Sequence, residues 1–335
     1  MNEGNRPLGA NVEALPSRAT PERNPGMALD LGWIEELRVD RSAAERRAAT
    51  IPVRRSVKKA WQAAWLLKAV SCIDLTALNG DDTPGRIRRL CDKAKNPVRA
   101  EVLAALGADE LGITVGAVCV YHEMIEYAVE ALGDSGIPVA AVSTGFPAGL
   151  SAYETRLREI EASVAAGAHE IDIVISRRHV LEGNWQALHD EVSAFREACG
   201  EAHMKTIIAT GELGTLTNVA RASMVCMMAG ADFIKTSTGM EGVNATMPVS
   251  LIMARMIRDY GARMGCRIGF KPAGGIRSAK QVLGYQMLMK EELGRPWLEP
   301  DLLRFGASSL LADIERQLEH QASGRYAAGH RQPLG

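Results

Sequence analysis

The chain has 335 residues, with 39 Lys and Arg against 40 Asp and Glu, for a formal net charge of −1. A balance this even supplies neither the basic face that nucleic acid needs nor the polybasic patch that an anionic membrane attracts. Hydrophobic residues make up 47% and charged residues 24% of the chain, proportions of a globular protein with material for a sizeable core.

Residues 1–28 are rich in Pro, Gly, Asn and charge, and they read as a mobile tail without the apolar core of a signal peptide. Residues 29–68 read as a helical lead-in, in which Trp61, Ala64, Trp65 and Lys68 follow helical spacing as a stripe packed on the main domain. No stretch reaches the roughly 20 apolar residues of a spanning helix. The six cysteines, Cys72, Cys91, Cys119, Cys199, Cys226 and Cys266, include no C-x-x-C pair. They read as reduced, buried thiols, and the expected compartment is the cytoplasm.

From residue 69 short apolar segments alternate with helical ones. Eight candidate strands follow in order: Ser71–Leu75, Ala117–Tyr121, Val139–Thr144, Glu170–Ser176, Met204–Thr210, Asp232–Thr238, Arg267–Ala273 and Leu303–Gly306. Four of them follow a helix-ending glycine, at Gly136, Gly167, Gly230 and Gly265. Regular alternation implies a parallel sheet, and eight units suggest closure into a (β/α)₈ TIM barrel over residues 69–322, with 323–335 as a C-terminal tail. The alternative is a doubly wound open sheet. The first strand is not followed by G-x-G-x-x-G, which weighs against a dinucleotide-binding sheet.

In a barrel the chemistry lies at the C-terminal ends of the strands. On the sixth, period-2 alternation puts Phe233, Lys235 and Ser237 on one face. On the seventh it pairs Gly269 with Lys271, opposite Ile268 and Phe270. If Ile268 and Phe270 face the outer helices, the two lysines stand close together inside the barrel. A second cation and partial desolvation lower the pKa of the first lysine and free an amine to attack an aldehyde. The alternative is that each lysine forms a structural ion pair. Asp172 on the fourth strand sits between two isoleucines and needs a partner. It is either a general acid/base or the structural partner of Lys205 or Arg177. The loops Ala273–Ser278 and Gly306–Ser309 offer backbone amides at helix N-termini, where barrels commonly seat a substrate phosphate. Thr210-Gly211-Glu212 is a candidate pocket loop. Met224, Met227 and Met228 read as packing, and His122, His169, His179, His189 and His203 show no metal-ligand spacing.

Ile73-Asp74-Leu-Thr76, Val118-Cys119-Val-Tyr121, Gly145-Phe-Pro-Ala-Gly149, Glu170-Ile-Asp172, Ala209-Thr-Gly-Glu212, Phe233-Ile-Lys235-Thr-Ser-Thr-Gly239, Gly269-Phe-Lys271-Pro-Ala-Gly-Gly-Ile-Arg277 and Phe305-Gly-Ala-Ser-Ser309 occur in this order. With these motifs the chain closely resembles the deoxyribose-phosphate aldolase family over about residues 30–330, in its longer, animal-type branch. The resemblance implies a class I aldolase of deoxyribose phosphate and deoxyribonucleotide catabolism. Lys235 would be the Schiff base, Lys271 its electrostatic tuner and Asp172 the proton relay, through a water. Asp74, Cys119, Thr210 and Gly239 would line the pocket, and Gly274, Gly275, Ser308 and Ser309 would hold the phosphate. Such an enzyme needs no metal or organic cofactor. Its partners would be sugar phosphates and aldehydes, with neither nucleic acid nor membrane, and by base rate a homodimer.

The chain departs from the family pattern at Met240, where a phosphate-holding lysine is usual, at His122 in place of proline, and at Ser176 in place of asparagine. Many relatives have a C-terminal tyrosine that reaches the active site, and Tyr326 is the candidate for it here. Two other readings compete: a Schiff-base aldolase relaxed towards unphosphorylated aldehydes, and a non-catalytic interaction protein on the same fold. Retention of Lys235, Lys271 and Asp172 speaks against the second.

Overall fold

The computed structural model describes residues 23–54 and 56–328. Strands β1 (Ile73–Thr76), β2 (Ala117–Tyr121), β3 (Val139–Ser143), β4 (Glu170–Val174), β5 (His203–Ile207), β6 (Phe233–Lys235), β7 (Gly269–Lys271) and β8 (Phe305–Ala307) fall within or overlap the eight segments read from the sequence. All pair in parallel, in the order β7-β6-β5-β4-β3-β2-β1-β8. The ring closes between β7 and β8, where Phe270 N donates to Leu302 O at 2.9 Å and Gly306 N donates to Pro272 O at 3.1 Å. That closure excludes the open sheet and makes the architecture a (β/α)₈ barrel. The later strands are shorter than expected. β7 stops at Lys271 because Pro272 has no N–H to give the ladder.

Period-2 alternation sorts each strand's residues between two cores. Ile234, Ile268 and Phe270 point outward and join the large apolar layer beneath the helices. Inside the barrel lies a small apolar layer that includes Ala117, Cys119, Ala140, Val142, Val174 and Ile207. Such short side chains leave room for long polar ones. The four helix-ending glycines all have positive φ, from 69° at Gly136 to 99° at Gly167, the conformation in which a helix turns back into a strand at little steric cost.

The lead-in forms α1 (Leu31–Glu36), α2 (Arg41–Arg54) and α3 (Lys59–Ser71). The stripe expected on α3 is not its buried face. Trp61 is 75% exposed, and the helix instead buries Ala63, Leu66, Leu67 and Val70 against helices Ala279–Glu292 and Leu310–Ser323. Aliphatic side chains fit that three-helix contact better than indole rings, so the buried stripe keeps its period but is rotated around the helix. The expected N-terminal tail also ends early. Asn24 is buried, donating to Met227 O and Ala231 O at 2.7 and 2.8 Å, while its backbone N–H donates to Asp232 at 2.8 Å. One amide side chain that satisfies several backbone groups anchors residues 23–28 on the barrel floor. The rest of that expected tail, residues 1–22, lies outside the described residues, as do residues 329–335. Among the described residues no helix is long and apolar enough to cross a membrane.

Candidate active site

Seven ionisable side chains fill the barrel interior. Asp172 on β4 takes three lysine nitrogens: Lys205 Nζ donates to its Oδ1 at 2.9 Å, while Lys235 Nζ and Lys271 Nζ both donate to its Oδ2 at 2.7 Å. The register that pairs Lys235 with Lys271 across β6 and β7 brings the two amines to one oxygen. Lys271 also pairs with Asp74 on β1. Beneath them, Arg304 donates to Asp74 at 2.7 Å and, at 2.8 and 3.2 Å, to both oxygens of Glu170, which receives Lys205 at 2.6 Å. Room for Lys271 comes from Gly306 on the adjoining strand, where a Cβ would stand 3.4 Å from Lys271 Cε and 2.9 Å from Ala273 Cβ.

The two lysines are shifted in opposite directions despite their shared partner. Burial pushes the Lys235 amine below its ordinary value; Asp172 pulls it back, and the Lys271 ammonium pushes it down again. Burial acts on Lys271 in the same sense, but Asp172 and Asp74 overcome it and hold that group charged. Burial alone would raise Asp172, yet Lys205, Lys235 and Lys271 keep it well below the usual carboxylate range. Burial raises the Cys119 thiol.

Above this cluster opens a cavity of about 220 Å³, smaller than the roughly 300–1,000 Å³ of most ligand clefts and suited to a compact metabolite. Lys235, Lys271 and Cys119 form its base. Gly274, Gly275 and Arg277 line its wall from the loop after β7, and Ser308 and Ser309 from the loop after β8. Gly274 and Gly275 have φ of 81° and 80°, and successive amides in such a turn make an anion-binding concavity. Ser309 opens helix Leu310–Ser323, whose first-turn amides add to it.

A DeoC/LacD family aldolase model matches residues 68–315. The chain belongs to the DeoC/LacD aldolase family. The aldolase is 61% identical to the deoxyribose-phosphate aldolase of Mus musculus over 311 residues, covering 92% of this chain and 98% of that protein. It is 60% identical to that of Homo sapiens over 313 residues, with 93% and 98% covered. A solved deoxyribose phosphate aldolase from Aeropyrum pernix superposes with a TM-score of 0.57 at 22% identity, over 83% of this chain and 98% of that one. At that identity the likeness concerns the fold alone.

Not every residue expected at the aldolase's pocket reaches it. Lys235, Lys271, Cys119, Gly239, Met240, Gly274, Gly275, Ser308 and Ser309 line the cavity. Asp74 and Asp172 do not, because Lys271 and Lys235 cover them and both carboxylates are fully buried. Lys205 lies deeper still, between Glu170 and Asp172. Arg177, the other partner considered for Asp172, instead sits 2.7 Å from Glu212. Thr210 is buried off the cavity, its N–H donating to Thr236 O at 2.9 Å. Tyr326 stacks on His320 with ring centroids 4.4 Å apart. That places it beyond the far end of helix Leu310–Ser323, about 20 Å from Ser309 at 1.5 Å per residue. Ser176 joins a buried pair, donating to Glu191 at 2.6 Å and accepting from Arg156 at 3.1 Å.

Sequence reasoning missed Arg304 and Asn79, and it placed Arg277 in the expected phosphate loop without giving its side chain a role. Asn79 and Arg277 line the cavity from loops, where strand periodicity is silent. It also missed Glu241, which accepts from the N–H groups of Thr238 and Gly239 at 3.0 and 3.1 Å and shapes the loop after Lys235. A carboxylate three residues after a threonine in a glycine loop is a signal that could have found it.

Proposed function

We propose that the chain cleaves 2-deoxy-D-ribose 5-phosphate reversibly to D-glyceraldehyde 3-phosphate and acetaldehyde through a Schiff base on Lys235. The carrying observation is the pair of lysines at the cavity base, one held towards the free amine and one held charged. The names of the mammalian relatives support the substrate. The Lys235 amine adds to C1 of the open-chain sugar, water leaves, and a protonated imine forms. The C3 hydroxyl gives up its proton towards Asp172, and the C2–C3 bond breaks. Its electron pair flows into the iminium to leave an enamine, and the aldose phosphate departs. Because Asp172 is covered, that proton travels through a water beside Lys271. The enamine regains a proton on carbon, and hydrolysis returns the amine and releases acetaldehyde. The iminium supplies the polarisation, and no residue role here calls for a metal. Gly274, Gly275, Ser308, Ser309 and Arg277 receive the phosphate. Met240, 57% exposed at the rim, favours a second reading in which unphosphorylated aldehydes are also accepted. The six buried thiols suit a reducing cytoplasm.

Borohydride reduction in the presence of acetaldehyde, followed by peptide mapping, tests the reading. An ethyl group on the peptide carrying Lys235 is the expected result. Modification confined to other lysines, or none, refutes it.

A further inference from the structure

Arg304 and Glu170 touch neither the cavity nor Lys235, yet they complete a closed set of charges. The barrel interior holds three carboxylates, Asp74, Glu170 and Asp172, and four bases, Lys205, Lys235, Lys271 and Arg304. All are nine-tenths or more buried as side chains. With Lys235 uncharged, three cations face three anions. With Lys235 protonated, one cation is in excess in a space that water does not screen.

We propose that Arg304 and Glu170 are positioning residues that close the charge balance of the barrel floor without Lys235, and so keep its amine free to react. This rests on the reading of Lys235 as the Schiff-base lysine. Arg304 fixes Asp74 and Glu170 with three hydrogen bonds. Glu170 fixes Lys205, which in turn occupies Asp172 Oδ1 and leaves Oδ2 to the other two lysines. Every member except Lys235 is shifted towards its charged form: the carboxylates downward, and Lys205, Lys271 and Arg304 upward. The groups facing Lys235 are Asp172 from β4, Lys271 from β7, the Cys119 thiol from β2 and the Phe146 ring 6.0 Å away; Lys205 from β5 and Asp74 from β1 stand one contact further out, on Asp172 and Lys271. Below the cluster, burial shifts His203 against its charged form, and Asp232 pairs with Arg23 at 3.3 Å. The iminium formed in the reaction is then the one uncompensated cation, which strengthens its pull on electrons from the C2–C3 bond.

The pH dependence of trapping acetaldehyde on Lys235 with borohydride reads the free amine directly. R304Q removes a cation and should move the midpoint for Lys235 up by about one pH unit; E170Q removes an anion and should move it down by about as much. The E170Q/R304Q double variant restores the balance and should return the midpoint to within a few tenths of a unit of the parent. A purely structural role lowers the amount of trapped enzyme without opposite shifts. If the single variants fold too poorly to assay, the double variant decides: a midpoint displaced by a unit overturns the proposal, as does movement of both single variants in the same direction or in neither. Failure of the parent enzyme to trap at Lys235 would instead refute the Schiff-base reading.

Discussion

Lys235 and Lys271 are register partners on adjacent strands, and both nitrogens reach the same oxygen, Asp172 Oδ2, at 2.7 Å. Equal contact does not give them equal proton affinity. Lys271 has a second carboxylate in Asp74, which together with Asp172 outweighs burial and holds the ammonium. Among the described residues Asp172 is the only carboxylate paired with Lys235, and there burial prevails. Two chemically identical side chains are thus shifted in opposite directions, one towards the amine and one towards the ammonium, by one aspartate on β1.

Replacing Lys271 with Met removes the cation beside Lys235 and leaves the carboxylates in excess. The acid limb of the pH–activity profile should move to higher pH, with kcat/KM at neutral pH reduced by about 10²-fold or more. Lys271→Arg keeps the charge and should retain the midpoint better than Lys271→Met. Steady-state kinetics from pH 5 to 10 give both numbers.

Asp172→Asn should separate imine formation from bond cleavage. The amide leaves Lys235 free to trap acetaldehyde, while turnover of the sugar phosphate falls by about 10²–10⁴-fold for want of a proton acceptor. The buried Lys205 and Lys271 ammonium groups would lose their common partner, so stability to urea should fall by about 3–5 kcal/mol. Unchanged turnover would remove Asp172 from the mechanism.

Acid should unfold this barrel from the inside. Asp74, Glu170 and Asp172 are held below their ordinary values of 3.8, 4.5 and 3.8. Groups depressed by folding add stability that is complete above the unfolded-state values and drains away as pH falls through the folded ones. Thermal midpoints should therefore be level from pH 7 to about 5 and drop steeply below about 4. In Asp172→Asn that acid drop should be shallower, since one of the three linked protons is gone.

Gly269 shares the inner face of β7 with Lys271, and a Cβ there would lie 2.3 Å from the Phe233 ring. Gly269→Ala should cost about 1–3 kcal/mol in chemical denaturation, the usual range for overpacking. Phe233→Leu in the same chain should recover part of that loss.

Met240→Lys places an ammonium at the cavity rim near the glycine loop. A charge-assisted bond of about 1.5–3 kcal/mol to phosphate should lower KM for the phosphorylated sugar by about tenfold or more, with little change for unphosphorylated aldehydes. An unchanged KM would show that Met240 does not govern phosphate preference.

The strand positions were legible because a parallel barrel strand is a short apolar run after a helix-ending glycine, and both marks are local. Phe270 and Ile268 announced the inward direction of Lys271 by occupying the alternate positions. The faces of α3 were misread, since Trp61 matches helical spacing as well as Leu66 does, and only the neighbouring helices distinguish them. Tyr326 was matched to a tyrosine that reaches the site in relatives, but its stacking partner, His320, lies on the helix that ends just before it, six residues away in sequence. Arg304 lies inside the expected strand Leu303–Gly306, alternate to Phe305, so the period allowed it to point inward, but nothing local names Asp74 and Glu170 as its partners.

The amino-acid order alone determined the eight βα units, the inward pointing of Asp172, Lys235 and Lys271, and the loops that carry Gly274, Gly275, Ser308 and Ser309. Those follow from a two-residue strand period and local turn chemistry, which operate over a few residues. Which inward side chains meet was decided by closure of the ring, because the stagger of eight strands brings Arg304 to Glu170 across 134 positions and Lys271 to Asp172 across 99. Charge state was decided there too: a lysine's proton depends on the sum of buried charges around it, and that sum exists only once the barrel has shut.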